Sequence, residues 1–545
     1  MNTAELVGRT LVDLGATHVF GVVGSGNFHV TSAMVEAGAR FVAARHEGGA
    51  ACMADGFARM SDQLGVLSVH QGCGLTNAMT GIAEAAKSRT PLLVLAAEVS
   101  EPRSNFYVDQ PALAAAVGAE SRRIDRPETA VETVIEAAAT ALHGRRTVVL
   151  NLPLQVQSEP AAVPASTPQL PPAPLPVTAS ESDVRALAEA IDRAERPVFV
   201  AGRGARSNTA RDALLELADD CGALVATSAV AKGLFTGSEW SLDVSGGFAS
   251  PLAAELISQA DLIVGWGCAL NMWTMRHGRL IADDATVVQV DDTLDAIGAH
   301  RELSFGVLGD VAATAEATRG ALASRGAGYR SDELRDRIAS EVRWRDVEYA
   351  DTQTGDRIDP RTLSIAIDDL LPAERIITVD SGNFMGYPSM FCAVPDEFGF
   401  CFTQAFQSVG LGLASAIGAA LARPDRLPVA ALGDGGALMG ASELETVRRL
   451  GLPMVVVVYD DAAYGAEVHH FGPQGADLQT VRFPDTDLAQ VARGYGFEAA
   501  VIRRPEDLSP LRDWLAGPQD VPFLIDAKVT SEHGSWWLEE AFRGH

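Results

Sequence analysis

Two carboxylates 27 positions apart, Asp434 and Asp461, are the residues of this 545-residue chain best placed to do chemistry. Each follows an apolar run of strand type. Residues 429–432 lead into Gly433-Asp434-Gly435-Gly436, and residues 454–459 lead into Asp460-Asp461. Between them, residues 441–450 have helical spacing with Glu443 and Glu445 in the first turn, and Pro453 delivers the chain into the second strand. Such a strand–helix–strand crossover sends both acids out from the carboxyl ends of parallel strands, where open α/β sheets bind ligands. Glycines let backbone N–H groups approach a phosphate, a helix N-terminus favours its charge, and carboxylate oxygens hold Mg2+ against it. The chemistry these residues suggest is a diphosphate held through a divalent cation. An ordinary crossover with a glycine turn accounts for the glycines alone, but less well for the acids at this spacing.

The stretch 428–472 resembles the cofactor signature of the thiamine-diphosphate-dependent decarboxylases and carboligases: GDG, a spacer of somewhat under about thirty residues, then a paired Asn. The resemblance implies that Asp434, Asp461 and the carbonyl of Ala463 hold Mg2+, and that Gly433, Asp434, Gly435, Gly436, Tyr464 and Gly465 line the cofactor. This chain departs from the pattern in having Asp460-Asp461 where the family has Asn-Asn, which adds negative charge beside the diphosphate.

The same resemblance gives roles to residues elsewhere. Glu47, in His46-Glu47-Gly48-Gly49, matches the carboxyl group that bonds the aminopyrimidine ring nitrogen and favours the tautomer that removes the thiazolium C2 proton. A first-turn Glu serving only the helix dipole is the plain alternative. Val409 matches the apolar residue over which the cofactor bends, with ordinary core as its alternative, and Gly382 and Asn383 match the segment against the aminopyrimidine. The run from His70 through Gly74 to Asn77 is similar to the benzoylformate decarboxylase pattern, which makes His70 and His29 candidate acid–base groups and Ser25 a substrate-carboxylate contact. Acetolactate synthases have Gly-Pro-Gly here, and Cys73 replaces that Pro. Glu467 falls where pyruvate decarboxylases keep an acid, and with Tyr464, His469 and His470 it makes a polar relay; a plain polar loop over 465–477 is the alternative.

Strands alternating with helices along the chain position these groups, and they predict an α/β protein of three doubly wound parallel-sheet domains. The expected limits are an N-terminal pyrimidine-binding domain (1–157), a Pro-rich linker (158–180), a central Rossmann-like domain (181–330) and a C-terminal diphosphate-binding domain (355–545). Strand, Gly loop, helix, Pro and strand recur at 66–96 and 429–459, a weak sign of two domains on one plan. In the central domain, Gly202-Arg203-Gly204 only superficially matches a dinucleotide loop. The third Gly is missing and no acid follows at a suitable distance on a strand end, so FAD or ADP there stays open.

Lys plus Arg (43) against Asp plus Glu (71) leaves a net charge of −28, which excludes nucleic acid and anionic membrane as partners in the absence of a basic patch, and none is visible in the sequence. Six scattered cysteines without C-x-x-C, and an N-terminus without a signal pattern, predict a cytoplasmic protein. The resemblance implies 2-oxo acid decarboxylation with or without carboligation, as in acetolactate synthase, by a homodimer or homotetramer. Two alternatives stand beside it: a 2-hydroxyacyl-CoA lyase, against which no basic cluster for the CoA phosphates is evident, and a non-catalytic regulatory subunit that binds cofactor weakly. Trp536-Trp537 is expected to act as a lid.

Overall fold

A computed structural model of the chain describes residues 1–324 and 326–538. Its architecture is three α/β layers, each built on a six-stranded sheet whose pairings are all parallel. The first sheet contains β1 (His18–Gly21), β2 (Arg40–Ala43), β3 (Gly65–Val69), β4 (Leu92–Glu98), β5 (Glu120–Arg123) and β6 (Thr147–Pro153). The second contains β7 (Pro197–Ala201), β8 (Leu224–Thr227), β9 (Ser241–Val244), β10 (Leu262–Trp266), β11 (Thr286–Asp291) and β12 (Phe305–Leu308). The third contains β13 (Arg375–Val379), β14 (Phe400–Phe402), β15 (Leu427–Gly433), β16 (Val455–Asp460), β17 (Glu498–Ile502) and β18 (Phe523–Lys528). Helices cover both faces of such sheets, so the central strands β3, β4, β16 and β18 are buried at every position, in keeping with their largely apolar sequences.

The first sheet runs β2-β1-β3-β4-β6-β5 and the third β14-β13-β15-β16-β18-β17. Counted from each sheet's own first strand, the two orders are identical. The recurrence at 66–96 and 429–459 therefore occupies the same place, third to fourth strand, in both sheets. The middle sheet differs: its order β12-β11-β10-β7-β8-β9 is that of the doubly wound dinucleotide-binding folds.

The outer sheets meet through two helices that are equivalent in this wiring, Glu47–Ser61 and Gly412–Ala422, each following the second strand of its sheet. They cross at glycines. A Cβ on Gly418 would lie 2.0 Å from the Met53 carbonyl oxygen, and one on Gly56 would lie 2.4 Å from that of Ser415. Beside the crossing, buried Arg59 pairs with Asp55 and Glu84 at 2.8 Å each and donates to the Phe402 carbonyl. Glu84 in turn accepts from the backbone N–H groups of Ala405 and Phe406. This network anchors the segment leading to Val409 on the first sheet's helices. Removing one partner of such a buried pair is far more costly than forming it is stabilising. After the short helix Leu154–Ser158, residues 161–180 carry no helix or strand and most are exposed, as their Pro, Ala and Ser content predicts.

Candidate active site

Both outer sheets reverse strand order between their first and third strands, and the predicted site residues collect at the carboxyl ends there. On the third sheet, β13 ends at Asp380, β15 at Gly433-Asp434 and β16 at Asp460-Asp461. Asp380 is buried and accepts from the N–H groups of Ser381, Gly410 and Leu411, which fixes the turn that presents Val409. Val409 is 41 % exposed, so it is not the core residue of the plain reading. A β-branched side chain held stiffly at the mouth of a crevice suits a wedge.

The glycines mark close approach. A Cβ on Gly436 would meet the Asp380 carboxylate at 2.3 Å, and one on Gly465 would lie 2.3 Å from Asp461 Oδ2 and 3.3 Å from Asn383. Gly435 faces the Tyr464 ring at 3.3 Å on the same construction. Thus Gly382-Asn383, Val409-Gly410, the Asp434 loop and the Asp461–Gly465 loop line one crevice. Asp434 and Asp461 have no cationic side chain paired with them among the described residues. Burial, followed by the charges of Asp461 and Asp460, pushes Asp434 up to about 8, and burial pushes Asp461 up to about 7. Two half-buried acids raised in this way are a donor set that fits a divalent cation. No cluster of three His, Cys, Asp or Glu side chains suited to a metal occurs among the described residues.

On the first sheet, Glu47 opens its helix behind His46, whose ring caps the Gly48 N–H at 3.0 Å. Asn77 Nδ2 donates to Glu47 Oε2 at 3.0 Å. His70 Nδ1 accepts from the Gly26 N–H at 3.2 Å, and its ring stands edge-on to Phe106. Burial lowers the His70 pKa and the nearby Glu47 charge opposes that shift, so the ring is neutral at pH 7 and carries its proton on Nε2. Gln71 Oε1 is buried without a partner and lies where a Cβ on Gly26 would sit. His29 and Ser25 are exposed at the rim.

The two halves rest on different supports. The backbone N–H groups of Arg45 and His46 are held by Glu443, at the start of the helix Glu443–Leu450, rather than by the Asp434 crevice. Glu467 is solvent-facing on the helix Gly465–Phe471, about two turns of helix where a plain loop was the alternative. His469 faces the C-terminal segment instead, with Gly534 against its ring and Nε2 buried without a partner.

Two expectations need correction. Trp536 and Trp537 do not overhang the crevice as a lid. Trp537 Nε1 donates to the Asn383 carbonyl at 3.0 Å and its ring meets Phe248 and Trp273, while Trp536 packs on Trp344. Trp537 thus holds Asn383, assisted by Ser535; residues 539–545 lie outside the described residues. As expected, no acid closes the next strand after Gly202-Arg203-Gly204, because β8 ends on Thr227. Asp291, at the end of the more distant β11, lines with that loop a cavity of about 500 Å3 between the layers. Second, a basic cluster does exist, because Lys87, Arg89, Arg145 and Arg203 reach that cavity from separate stretches. Arg145 is matched by Asp292, whereas burial, with Arg59 and Arg206 nearby, holds Arg203 down to about 9.

Burial pushes Asp380 up to about 6 despite its N–H donors. A carboxyl raised on folding stabilises the fold below its unfolded value and loses that contribution as pH rises through its folded value. The unfolding stability of Asp380→Asn relative to the cofactor-free parent should therefore rise by up to about 3 kcal/mol between about pH 4 and pH 8. Thermal melts of both proteins across that range check this; a difference that does not move with pH refutes it.

Comparison with known proteins covers most of the chain. Residues 1–117 match the description "Thiamine pyrophosphate enzyme, N-terminal TPP binding domain", residues 184–318 the central domain and residues 380–527 the C-terminal TPP binding domain. A probable sulfoacetaldehyde acetyltransferase of Rhizobium meliloti is 27 % identical, over 93 % of this chain and 90 % of its own. A probable acetolactate synthase large subunit of Methanocaldococcus jannaschii is 26 % identical (97 % and 92 %). A probable 2-ketoarginine decarboxylase of Pseudomonas aeruginosa is 29 % identical (95 % and 92 %). Among solved structures, the thiamine diphosphate-dependent 4-hydroxybenzoylformate decarboxylase of Rhodococcus jostii RHA1 shares the fold, with a TM-score of 0.82 at 22 % identity over 98 % of this chain and 100 % of that one.

Proposed function

Because this chain belongs to the thiamine pyrophosphate enzyme family, we propose that it is a Mg2+-dependent enzyme that cleaves or forms the C–C bond next to a carbonyl, by 2-oxo acid decarboxylation with or without carboligation. The observation that carries this reading is the pair of half-buried acids Asp434 and Asp461, both raised and neither paired with a cation among the described residues, at neighbouring strand ends of one crevice. Thiamine diphosphate, when bound, supplies the carbon nucleophile and the electron sink for losing CO2. Asp434, Asp461 and the Ala463 carbonyl hold Mg2+, and Gly433, Gly435 and Gly436 bring backbone N–H groups to the diphosphate. Val409 supports the bend, with Gly382, Asn383, Tyr464 and Gly465 around it. Glu47, oriented by Asn77, holds a proton at the pyrimidine ring nitrogen. His70 offers its Nε2–H to the substrate oxygen, with His29 and Glu467 at the rim for later proton transfer.

Glu47 and the Asp434 crevice act together across two copies of the chain in this reading. Large apolar side chains stand exposed around both halves: Phe28 at 53 %, Leu438 at 49 % and Met439 at 59 %. Exposure of that kind marks a surface to be covered, and a homodimer or homotetramer covers it. The proposed units are 1–157, 181–330 and 355–545. All six cysteines are free, in accord with a cytoplasmic protein, and among the described residues no helix is long and apolar enough to cross a membrane.

The cationic cavity favours a second ligand and with it a second reading. Arg203, Arg89 and Lys87 suit the phosphates of FAD or ADP, or of the CoA moiety in a 2-hydroxyacyl-CoA lyase. Denaturing release of any nucleotide from the purified protein separates a flavin from an adenine nucleotide by visible absorbance.

The functional test is CO2 release from pyruvate, branched-chain 2-oxo acids and benzoylformate with thiamine diphosphate and Mg2+, followed by product identification. An aldehyde from one acid is the expected product, and a 2-hydroxyketone identifies carboligation. Silence with bound cofactor points to the acyl-CoA reading, and silence without it to a regulatory subunit.

A further inference from the structure

The parallel register of β16 and β18 sets Asp460 directly opposite Lys528. Both side chains are almost fully buried, at 2 % and 3 % exposure, and Lys528 Nζ lies 2.5 Å from Asp460 Oδ2. The other oxygen, Asp460 Oδ1, accepts from the Ala462 N–H at 3.0 Å. Both Asp460 oxygens are therefore engaged away from the crevice, whereas Asp461, the next residue, keeps Oδ2 against Gly465 within it. Lys528 Nζ also donates to the Thr486 carbonyl at 2.7 Å and meets Asp485 at 2.9 Å and Asp526 at 3.1 Å. Arg357 completes the surroundings by donating to the backbone carbonyls of Asp460 and Val529.

We propose that Lys528 is a positioning residue for the diphosphate site. By pairing with Asp460 it offsets part of the charge of the carboxylate next to Asp461 and holds that carboxylate turned away, so that Asp434 and Asp461 alone face the metal. An unpaired Asp460 carboxylate would repel the diphosphate, and once free to rotate it would compete with Asp461 for the cation. The chain thus keeps an Asp-Asp pair by supplying a cation from the adjacent strand. The argument rests on Asp434 and Asp461 being the metal ligands.

Equilibrium dialysis of thiamine diphosphate in the presence of Mg2+, on the full chain, reads the effect without turnover. Lys528→Met should weaken binding roughly tenfold to a hundredfold, the size of one uncompensated charge about two side chains away. Adding Asp460→Asn to it should restore binding to within about threefold of the parent, because the charge to be cancelled is gone. Parent-like binding by Lys528→Met overturns the proposal. So does a double variant as weak as the single one, since Lys528 would then act only through its contacts to 485–486. Where Lys528→Met is not recovered folded, the double variant decides on the same threshold. A parent chain that shows no Mg2+-dependent binding at all instead refutes the metal-ligand reading, which keeps the two failures apart.

Discussion

Asp434→Ala should lose Mg2+-dependent thiamine diphosphate binding and drop turnover by about a thousandfold, roughly 4 kcal/mol of transition-state stabilisation. Asp434 sits at the junction of β15 and the short helix that follows, so its carboxylate is carried by a strand buried along six of its seven positions and has little freedom to be replaced by a neighbour. Its raised pKa expresses the cost of holding that carboxylate without a cation. The informative contrast is Asp461→Asn, which installs the amide the family has at this position. An amide oxygen still coordinates Mg2+, so binding and turnover should stay within about threefold of the parent. Dialysis of cofactor against both variants checks the pair. Equal losses would show that Asp434 matters for folding rather than for coordination.

Glu47→Gln should act differently, leaving cofactor bound while turnover falls by about a hundredfold to ten-thousandfold. Glu47 lies on the opposite half of the site from Asp434, and its own backbone neighbours are tied to Glu443, so the substitution leaves the diphosphate crevice untouched. The two variants together test how the halves combine. If each site is built from two chains, co-expressed Glu47→Gln and Asp434→Ala chains form mixed dimers in which one of the two sites has both residues intact. Random pairing then returns about a quarter of the parent's activity from two inactive parents. Sites completed within one chain would return none, and that result would end the two-chain reading.

The parts of the site carried by local sequence were legible. Apolar runs set the strands, glycines and acids stood at their ends, and helix-spaced residues followed; that was enough to place Asp434, Asp461 and Glu47 at carboxyl ends and helix starts. What sequence could not supply was pairing between distant strands. Lys528 is 68 residues from Asp460, and only the register of β16 and β18 brings them together. The available hint was Asp526 and Lys528 alternating on one face of an otherwise apolar strand, a pattern a buried strand does not carry without partners. The cavity escaped for the same reason, because its cations and Asp291 arrive from separate segments and no local pattern announces them. Trp536 and Trp537 misled because an aromatic pair near a chain end reads as exposed until its packing on Trp344, Trp273 and Phe248 is seen.

The glycine crossing of Glu47–Ser61 with Gly412–Ala422 has a consequence for motion. Backbones in contact at Gly56 and Gly418 leave no slack for the first sheet to rock against the third, and the buried Arg59 network locks the same joint. That joint opposes hinge or shear closure of these layers. The exposed aromatics sit instead on peripheral segments, Phe106 and Tyr107 on one side and Tyr464, Phe471 and Phe483 on the other, the kind of segment that gates access to a site. A scaffold stiff at its centre and compliant at its rim can change what it admits by substitutions in those segments, without moving the seat in which the cofactor is held.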